Sequence, residues 1–476
     1  MTKHQQYIKD YFDAFSPVFE QYRKKRSYYH HHIARYCGYF INANQSVLEI
    51  GCATGDLLAT VPGSYKMGID ISDKLIAIAQ QKYPDIHFTC ETAETMLVDR
   101  TFDVVILSNL VGYLEDVQSV FERLKLFCHR DTKIFITYYN RIWEIPIHFS
   151  EFIGVKRKTP LQNWLSSYDL KNLCYLAGLE PYKQNNNVLL PVYIPILSTL
   201  FNQYLSRLPI FNFFSLNQYT FARLKPSAKA DGDIDKLYST SIVIPARNES
   251  GNIENAILRI PTFGKHIEIV FIEGNSTDDT WHTIHQVQSK YKDTHDIKIL
   301  QQTGKGKGDA VRKAFEHCTG DILMILDADL TMPPEDLPKF YHAIASGKGD
   351  FINGCRLIYP MESQAMRTLN TLGNHFFSKA FSWLLEQPIK DTLCGTKVLF
   401  RKDYEQLILN RSFFGNFDPF GDFDLLFGAY KLNLKIIDLP IRYKDRTYGD
   451  TNISRFSHGF LLLRMVMFAA GKIKFW

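Results

Sequence analysis

The chain has 476 residues, of which 45% are hydrophobic and 14% aromatic, and its formal net charge is +5. A chain of this length is too long to form a single hydrophobic core, so two or three domains are expected. The mild positive charge fits anionic small molecules or a membrane surface and gives no argument for nucleic acid. Eight cysteines are scattered without a CxxC pair. A reduced, cytosolic chain is therefore expected, without a disulfide framework or a zinc site.

The first half of the chain alternates between strand and helix patterns. Residues 1–44 are predicted to be helical, and Ser46–Ile50 and Tyr65–Asp70 to be strands. Further strands are predicted at Ile86–Cys90, Phe102–Leu107 and Lys133–Tyr138, with amphipathic helices near Lys74–Tyr83 and Val117–Cys128. This alternation is typical of a doubly wound α/β sheet.

A less regular region follows this first sheet. The longest uncharged stretch, residues 184–206, contains Pro191 and Pro195, so we do not expect it to span a membrane. The segment Gln218–Leu224 is predicted to be a strand, and the polar residues 226–238 form a predicted linker. The first predicted domain therefore covers residues 1–225.

A glycine turn follows the first strand, with the pattern Glu49-x-Gly51-x-x-x-Gly55. Such a turn lets the backbone approach a ligand and directs helix amides toward it. The third glycine of the dinucleotide fingerprint is missing. Asp70 closes the next strand, where its carboxylate is placed to accept hydrogen bonds from both hydroxyls of a ribose.

With Phe102–Glu115, these motifs resemble class I S-adenosylmethionine-dependent methyltransferases. The resemblance covers about residues 1–225 and implies S-adenosyl-L-methionine as cofactor. It implies that Glu49, Gly51 and Gly55 line the methionine end and that Asp70 holds the ribose. Thr92 stands where the family usually has an aspartate at the adenine amino group, and Ala53 replaces a common glycine. The alternative is a non-catalytic binding or scaffold module.

A second alternation of strands and helices starts at Ser239. Its predicted strands are Ser241–Pro245, Glu268–Glu273, Ile297–Gln301, Asp321–Leu326 and Phe351–Asn353, with helices beginning near Gly251, Asp278 and Lys307. The apolar run before Asp327 ends in two carboxylates, Asp327 and Asp329, at the strand end where ligands bind in open α/β sheets. Two hard oxygen donors suit a divalent cation that also holds a substrate diphosphate.

Four motifs in this half resemble a family 2 glycosyltransferase with the GT-A fold. They are Ser241–Glu249, Phe271–Thr280, Gly304–Arg312 and Asp327-Ala-Asp329. Within that family the chain is most similar to dolichyl-phosphate mannose synthase and bacterial polyprenyl-phosphate glycosyltransferases, over about residues 239–455. The resemblance implies that Asp327 and Asp329 bind Mg²⁺ or Mn²⁺. It also implies that the nucleotide sugar contacts the following residues: Pro245, Asn248, Glu249, Glu273, Lys307 and Asp327.

Downstream motifs match the acceptor side of this family. Asp391–Thr396 resembles the acceptor loop, and the acids Asp422 and Asp424 fall near the place of the general base. A sugar hydroxyl requires such a base, whereas a phosphate acceptor is already ionised, so a structural role at a helix start stays open for both acids. Arg446, with Gly449 and Thr451, resembles a loop that closes over phosphate in the lipid-phosphate relatives.

The sequence thus predicts two α/β domains, a Rossmann-like methyltransferase sheet (1–225) and a GT-A glycosyltransferase sheet (239–457). Residues 458–476 form a predicted apolar and basic helix that either lies in a membrane interface or packs on its domain. We expect an inverting enzyme that moves a sugar from a nucleotide sugar to a polyprenyl phosphate or a cell-surface glycan. The expected location is cytoplasmic, with peripheral contact at the inner face of the cell membrane through 458–476 as an option.

Overall fold

The computed structural model of the chain describes residues 1–227, 231–359, 368–410, 421–444, 446, 448 and 455–475. The backbone divides into two compact units. One comprises Met1–Lys225 together with Lys474–Trp476, and the other comprises Pro226–Ile473.

The described part of the first unit is built around a seven-stranded sheet with the strand order β3-β2-β1-β4-β5-β7-β6. Its strands are β1 (Ser46–Ile50), β2 (Tyr65–Asp70), β3 (His87–Cys90), β4 (Phe102–Ser108), β5 (Cys128–Tyr139), β6 (Leu179–Asn187) and β7 (Asn217–Leu224). Strands β1 to β5 pair in parallel, whereas β7 runs antiparallel between β5 and β6.

Helices cover both faces of a parallel sheet, so its central strands carry continuous apolar runs. Val104, Val105, Ile106 and Leu107 of β4 are accordingly all fully buried. The α-helices of this unit are α1 (Lys3–Lys25), α2 (Ser27–Tyr39), α3 (Asp56–Thr60), α4 (Asp73–Lys82), α5 (Val117–Leu124), α6 (Glu144–Phe152), α7 (Ser167–Leu176), α8 (Leu197–Thr199) and α9 (Pro209–Asn212).

The described part of the second unit holds another seven-stranded sheet, in the order β10-β9-β8-β11-β13-β12-β14. Its strands are β8 (Ser239–Ala246), β9 (His266–Glu273), β10 (Asp296–Gln301), β11 (Ile322–Ile325), β12 (Phe351–Cys355), β13 (Lys397–Phe400) and β14 (Ile436–Pro440). Strand β13 is antiparallel to both of its neighbours, and the other pairs are parallel.

The second unit also contains α10 (Asp231–Ile234), α11 (Ile253–Leu258), α12 (Thr280–Tyr291), α13 (Lys307–His317), α14 (Leu337–Ala345), α15 (Thr368–Leu385), α16 (Arg401–Leu409), α17 (Asp422–Lys431) and α18 (Arg455–Ile473). The prediction of two α/β domains is confirmed by these two sheets. Strands β6, β13 and β14 were not predicted from the sequence.

Helix α18 covers most of the C-terminal segment for which the sequence left two roles open. It packs against α15. Its buried residues recur at helical spacing and are Leu462, Met465, Val466, Ala469, Ala470 and Ile473. Phe460 and Met467 stay exposed. One side of α18 therefore packs on the protein, as one of the two expected roles requires. In the described residues no helix is long and apolar enough to cross a bilayer.

Truncation of a buried residue of α18 should destabilise the second unit. We expect Met465→Ala to lower the free energy of unfolding by about 2–5 kcal/mol, because it leaves a cavity in place of a buried side chain. Met467→Ala is the matched control, and since Met467 is 59% exposed its effect should stay within about 0.5 kcal/mol. Urea unfolding of the full chain measures both, and equal effects of the two substitutions would contradict this packing.

Candidate functional sites

The turn between β1 and α3 takes a backbone conformation that favours glycine. Gly51, Ala53 and Gly55 have φ angles of 77°, 47° and 75°. A Cβ at Gly51 would lie 2.9 Å from Leu110 Cδ1, and one at Gly55 would lie 2.5 Å from Phe88 Cζ. The two glycines are therefore needed for both backbone conformation and space.

Asp70 at the end of β2 fixes this turn. Its Oδ2 accepts a hydrogen bond from the backbone N–H of Ala53 at 2.8 Å, and its Oδ1 accepts one from the N–H of Ser72 at 3.0 Å. Burial raises the pKa of Asp70, although these backbone donors act against that shift. A carboxylate oxygen can accept two hydrogen bonds, so each one keeps capacity for a ligand hydroxyl.

A cavity of about 630 Å³ lies beside this turn. Its lining includes Glu49, Gly51 and Asp70, together with a group of aromatic side chains. The aromatic residues of this group are Tyr11, Phe12, Phe15, Phe19, Tyr22, Tyr28, Tyr29, Tyr113, Tyr139, Trp143 and Tyr193. The volume and the largely apolar lining, which also includes charged side chains such as Arg23, Glu49 and Asp70, are those of a small-molecule site. Gly55 and Thr92 are not part of this lining, and the Thr92 hydroxyl contacts that of Thr95 at 2.6 Å.

Glu49 is the most perturbed acid of this cavity. It is buried, and its Oε2 has no hydrogen-bond partner among the described residues. Burial raises the pKa of Glu49 to about 8, the positive charge of Arg23 lowers it, and the negative charge of Asp70 adds to the rise. A buried oxygen without a hydrogen-bond partner is costly, so Oε2 favours a ligand that brings a cationic or hydrogen-bond-donating group.

The acids that follow β11 in the second unit are paired with basic side chains. Lys307 Nζ, at the start of α13, lies 2.5 Å from Asp327 Oδ1. Burial alone would raise the pKa of Asp327, but the charge of Lys307, followed by those of Lys397 and Arg356, outweighs it and holds the pKa below its ordinary value. A Cβ at Gly395 would overlap both the Asp327 carboxylate and the Lys307 ammonium, so the backbone of residue 395 lies against this pair.

Arg446 joins two other predicted site residues. Its Nη2 lies 2.6 Å from Asp329 Oδ2, and its Nη1 lies 3.4 Å from Glu249 Oε1. Burial raises the pKa of Glu249, opposed by its hydrogen bond from Asn252 and by the charge of Arg446. The end of β8, the end of β11 and the segment after β14 therefore meet at one guanidinium.

Asn248 and Glu273 connect the loops that follow β8 and β9. Asn248, with a φ of 56°, accepts a hydrogen bond on Oδ1 from the N–H of Thr277 at 2.8 Å. The buried carboxylate of Glu273 accepts one from the N–H of Ser276. Pro245 is half-buried at the end of β8. These residues set the shape of the loop pair at the strand ends where the sequence places the nucleotide.

Asp424 lies on α17 and pairs with Arg312 of α13, with Oδ2 3.3 Å from Nη1. Helices α13 and α17 start close together, because a Cβ at Gly308 would lie 2.8 Å from the backbone N of Gly421. The side chain of Asp422 lies outside the described residues, as do Gly449 and Thr451. The ion pair gives Asp424 a structural partner and leaves its proposed catalytic role a prediction.

Some residues around this site were missed at the level of sequence. Arg356 donates two hydrogen bonds to the buried Asp391, at 2.7 and 2.9 Å, and fixes the loop that carries Gly395. Lys397 is fully buried and donates to the carbonyl oxygen of Cys394. No sequence motif indicates a role for Arg356 or Lys397. The hydrogen-bond partner of Arg356 is distant in the sequence, and that of Lys397 lies in an irregular loop.

Comparison with known families assigns both units. Residues 20–184 match the family model described as a methyltransferase domain, and residues 241–408 match that described as glycosyl transferase family 2. The chain joins a methyltransferase domain to a family 2 glycosyltransferase domain. A curated relative of the second domain is the dolichol-phosphate mannosyltransferase of Pyrococcus furiosus, 36% identical over 121 residues. That match covers 25% of this chain and about a third (33%) of the length of the relative.

Solved structures resemble each domain at low sequence identity. A possible histamine N-methyltransferase from Thermotoga maritima is 14% identical, with a TM-score of 0.37, over 45% of this chain and 99% of its own. The magnesium protoporphyrin IX methyltransferase of Synechocystis is 14% identical, with a TM-score of 0.34, over 47% and 100%. Glucosyl-3-phosphoglycerate synthase from Mycobacterium tuberculosis, solved with Mn²⁺ and uridine diphosphate, is 16% identical, with a TM-score of 0.38, over 52% and 85%.

The raised pKa of Glu49 predicts a stability difference that depends on pH. The carboxyl group of Glu49 binds a proton more tightly in the folded chain than in the unfolded chain. Its contribution to the free energy of unfolding is therefore fully present below pH 4.5 and is lost as the pH rises through about 8. Glu49→Gln removes this loss. Relative to the wild type, the free energy of unfolding of this variant should rise by roughly 1–3 kcal/mol between pH 5 and pH 9.

Thermal unfolding across that pH range measures this gain. Glu122→Gln changes an exposed glutamate of the same unit and should show no such trend. A constant difference between Glu49→Gln and the wild type at all pH values would contradict a buried, protonated Glu49.

Proposed function

We propose that the second domain is a metal-dependent, inverting glycosyltransferase that uses a nucleotide sugar, and that the first is an S-adenosylmethionine-dependent methyltransferase. The observation that carries the first part is the pair Asp327 and Asp329 at the end of β11, each ion-paired to a basic side chain from another element. A metal-bound nucleoside diphosphate needs carboxylates to hold the metal ion and basic side chains to bind the phosphates. Both kinds of group lie at the end of this strand. The alternative is that only the glycosyltransferase domain is catalytic and the first domain binds or positions.

The donor set of Asp327 and Asp329 fits Mg²⁺ or Mn²⁺. Among the described residues no group of three or more metal-binding side chains occurs. Mg²⁺ commonly uses one or two carboxylates and completes its shell with water and substrate phosphates, so two aspartates suffice. When bound there, the ion would neutralise charge on the departing nucleoside diphosphate.

The basic residues of the site have roles that follow from their chemistry. Lys307 and Arg446 are paired with the same acids that would hold the cation, so they are placed to bind the phosphate oxygens of the donor. The planar guanidinium of Arg446 suits two phosphate oxygens at once, and the Lys307 ammonium acts as a point charge. Pro245, Asn248, Glu249 and Glu273 would then shape the site for the nucleoside.

The acceptor decides whether this domain needs a general base. A polyprenyl phosphate is ionised at neutral pH and attacks without one, whereas a glycan hydroxyl needs a carboxylate such as Asp422 or Asp424. The pairing of Asp424 with Arg312 and the similarity to a dolichol-phosphate mannosyltransferase both favour the phosphate. A lipid acceptor also fits a cytoplasmic chain with peripheral contact at the inner face of the cell membrane.

In the methyltransferase domain, residues of the glycine turn and the cavity offer contacts to the methionine end and the ribose of the cofactor. The unpaired carboxylate oxygen of Glu49 suits the amino group, the Gly51 and Gly55 turn admits close backbone approach, and the remaining lone pairs of Asp70 suit the ribose. S-adenosylmethionine supplies the methyl group, and aromatic faces attract its sulfonium charge. The main task of the chain is to hold the acceptor in line.

Removal of one metal-site acid tests the glycosyltransferase. We expect Asp329→Asn to reduce Mg²⁺- or Mn²⁺-dependent turnover of the accepted nucleotide sugar by about 100-fold or more, because charge on the leaving diphosphate loses its stabilisation. Asp296→Asn changes an exposed acid on β10 and should leave turnover unchanged. Full activity of Asp329→Asn would remove the metal assignment.

Calorimetry with S-adenosylmethionine tests the methyltransferase. The wild type should bind, and Asp70→Asn should weaken binding about tenfold or more, because a charged acceptor for the ribose is lost. Asp73→Asn, at an exposed position just after Asp70, is the control and should bind like the wild type. No binding by the wild type would leave the scaffold alternative.

A further inference from the structure

Two connections of the first unit expose large apolar side chains. Ile145, Phe149 and Phe152 of α6 are 80%, 61% and 85% exposed. Val155 just after this helix and Ile210 and Phe213 in and after α9 are also exposed. These six residues are called the apolar face below. Exposed apolar residues are ordinary when single, but a cluster marks a surface that contacts something apolar.

Hydrogen bonds hold the two connections next to each other. Asn140 Nδ2 donates to the carbonyl oxygen of Phe213 at 2.9 Å. Trp143 Nε1 donates to the carbonyl oxygen of Phe214 at 2.8 Å. The segment before α6 and the segment after α9 are therefore neighbours, which brings the exposed Phe213 close to the start of α6.

Helix α6 has two apolar sides. Ile145, Phe149 and Phe152 follow the i, i+4, i+7 spacing of one helical stripe, and this stripe faces solvent. Pro146, Ile147 and Ser150 belong to the cavity lining instead. The fold of the unit uses only the second side. The exposed stripe therefore adds nothing to the core and lies directly beside the candidate methyltransferase cavity.

The segment from Arg141 to Lys158 carries four basic residues and the two acids Glu144 and Glu151, so its net charge is positive. Lys156-Arg157-Lys158 follows α6, and Arg157 and Lys158 are exposed. Arg157 also lies 4.4 Å from the centre of the Phe15 ring. The acid Glu151 is paired with Lys156 and Thr159. Between Glu180 and Asp231 the chain carries no acidic residue. An anionic surface is the complement of this arrangement.

We infer that the apolar face docks on the surface of an anionic lipid bilayer, with its aromatic and aliphatic side chains among the headgroups and Arg157 and Lys158 against lipid phosphate. Apolar side chains flanked by basic ones are typical of segments that lie in a membrane interface. A second copy of the chain would bring its own positive charges against these. The docking surface consists of residues of the first unit alone and places the methyltransferase cavity next to the membrane.

Vesicle sedimentation of the full-length chain tests this inference. The wild type should sediment with vesicles of phosphatidylglycerol and phosphatidylcholine, more weakly with phosphatidylcholine alone, and less at high salt. In the double variant Phe149→Ser, Phe152→Ser, the ratio of vesicle-bound to free protein should fall about tenfold or more. Neither side chain lines the cavity, and both are exposed, so thermal unfolding should be unchanged.

The matched control is Leu97→Ser, Leu176→Ser, which removes two exposed leucines of the same unit outside the apolar face. It should sediment like the wild type. The inference is overturned if the wild type stays in solution with anionic vesicles, or if the Phe149 and Phe152 variant sediments as the wild type does. It is also overturned if light scattering without lipid shows a wild-type dimer that this variant turns into a monomer. None of these results depends on cofactor binding.

Discussion

Two ion pairs hold together the site of the second unit: Lys307 with Asp327, and Arg446 with Asp329. Two carboxylates close in sequence and partly buried at the end of β11 would repel each other if both were ionised alone. Cations from α13 and from the segment after β14 remove that cost and fix both segments against the sheet. In the proposed function, a metal-bound diphosphate would satisfy the same charges, because the acids would hold the cation and Lys307 and Arg446 would bind the phosphates.

The buried acid of the first unit, Glu49, is in a different environment. Glu49 has Arg23 near it, but among the described residues its Oε2 has no hydrogen-bond partner, and burial raises its pKa to about 8. In the second unit each of the two acids is paired with a cation of the chain, whereas in the first unit one oxygen of the buried acid has no hydrogen-bond partner among the described residues. Both sites nevertheless lie where parallel strands end, β1 and β2 in the first sheet and β8 and β11 in the second.

The sequence predicted those features that depend on local pattern. The strands β1, β2, β8, β9 and β11 and the acids after them follow from apolar runs that end in turn residues. Strand β6 was missed because it is a polar edge strand, with Pro181 at a register shift and three asparagines. Strand β13 has four residues and contains the buried Lys397. Contacts such as Arg312 with Asp424 join residues over a hundred positions apart, and no spacing reveals them.

The central claim is that Asp327 and Asp329 share a cation with the diphosphate of a nucleotide sugar. A crystal structure of the chain grown with Mn²⁺ and a nucleoside diphosphate tests it most directly. We expect an anomalous Mn²⁺ peak about 2.1 Å from a carboxylate oxygen of Asp327 or Asp329, with Arg446 moved from Asp329 to phosphate. A nucleotide bound with its metal away from both aspartates, and both ion pairs intact, would contradict it.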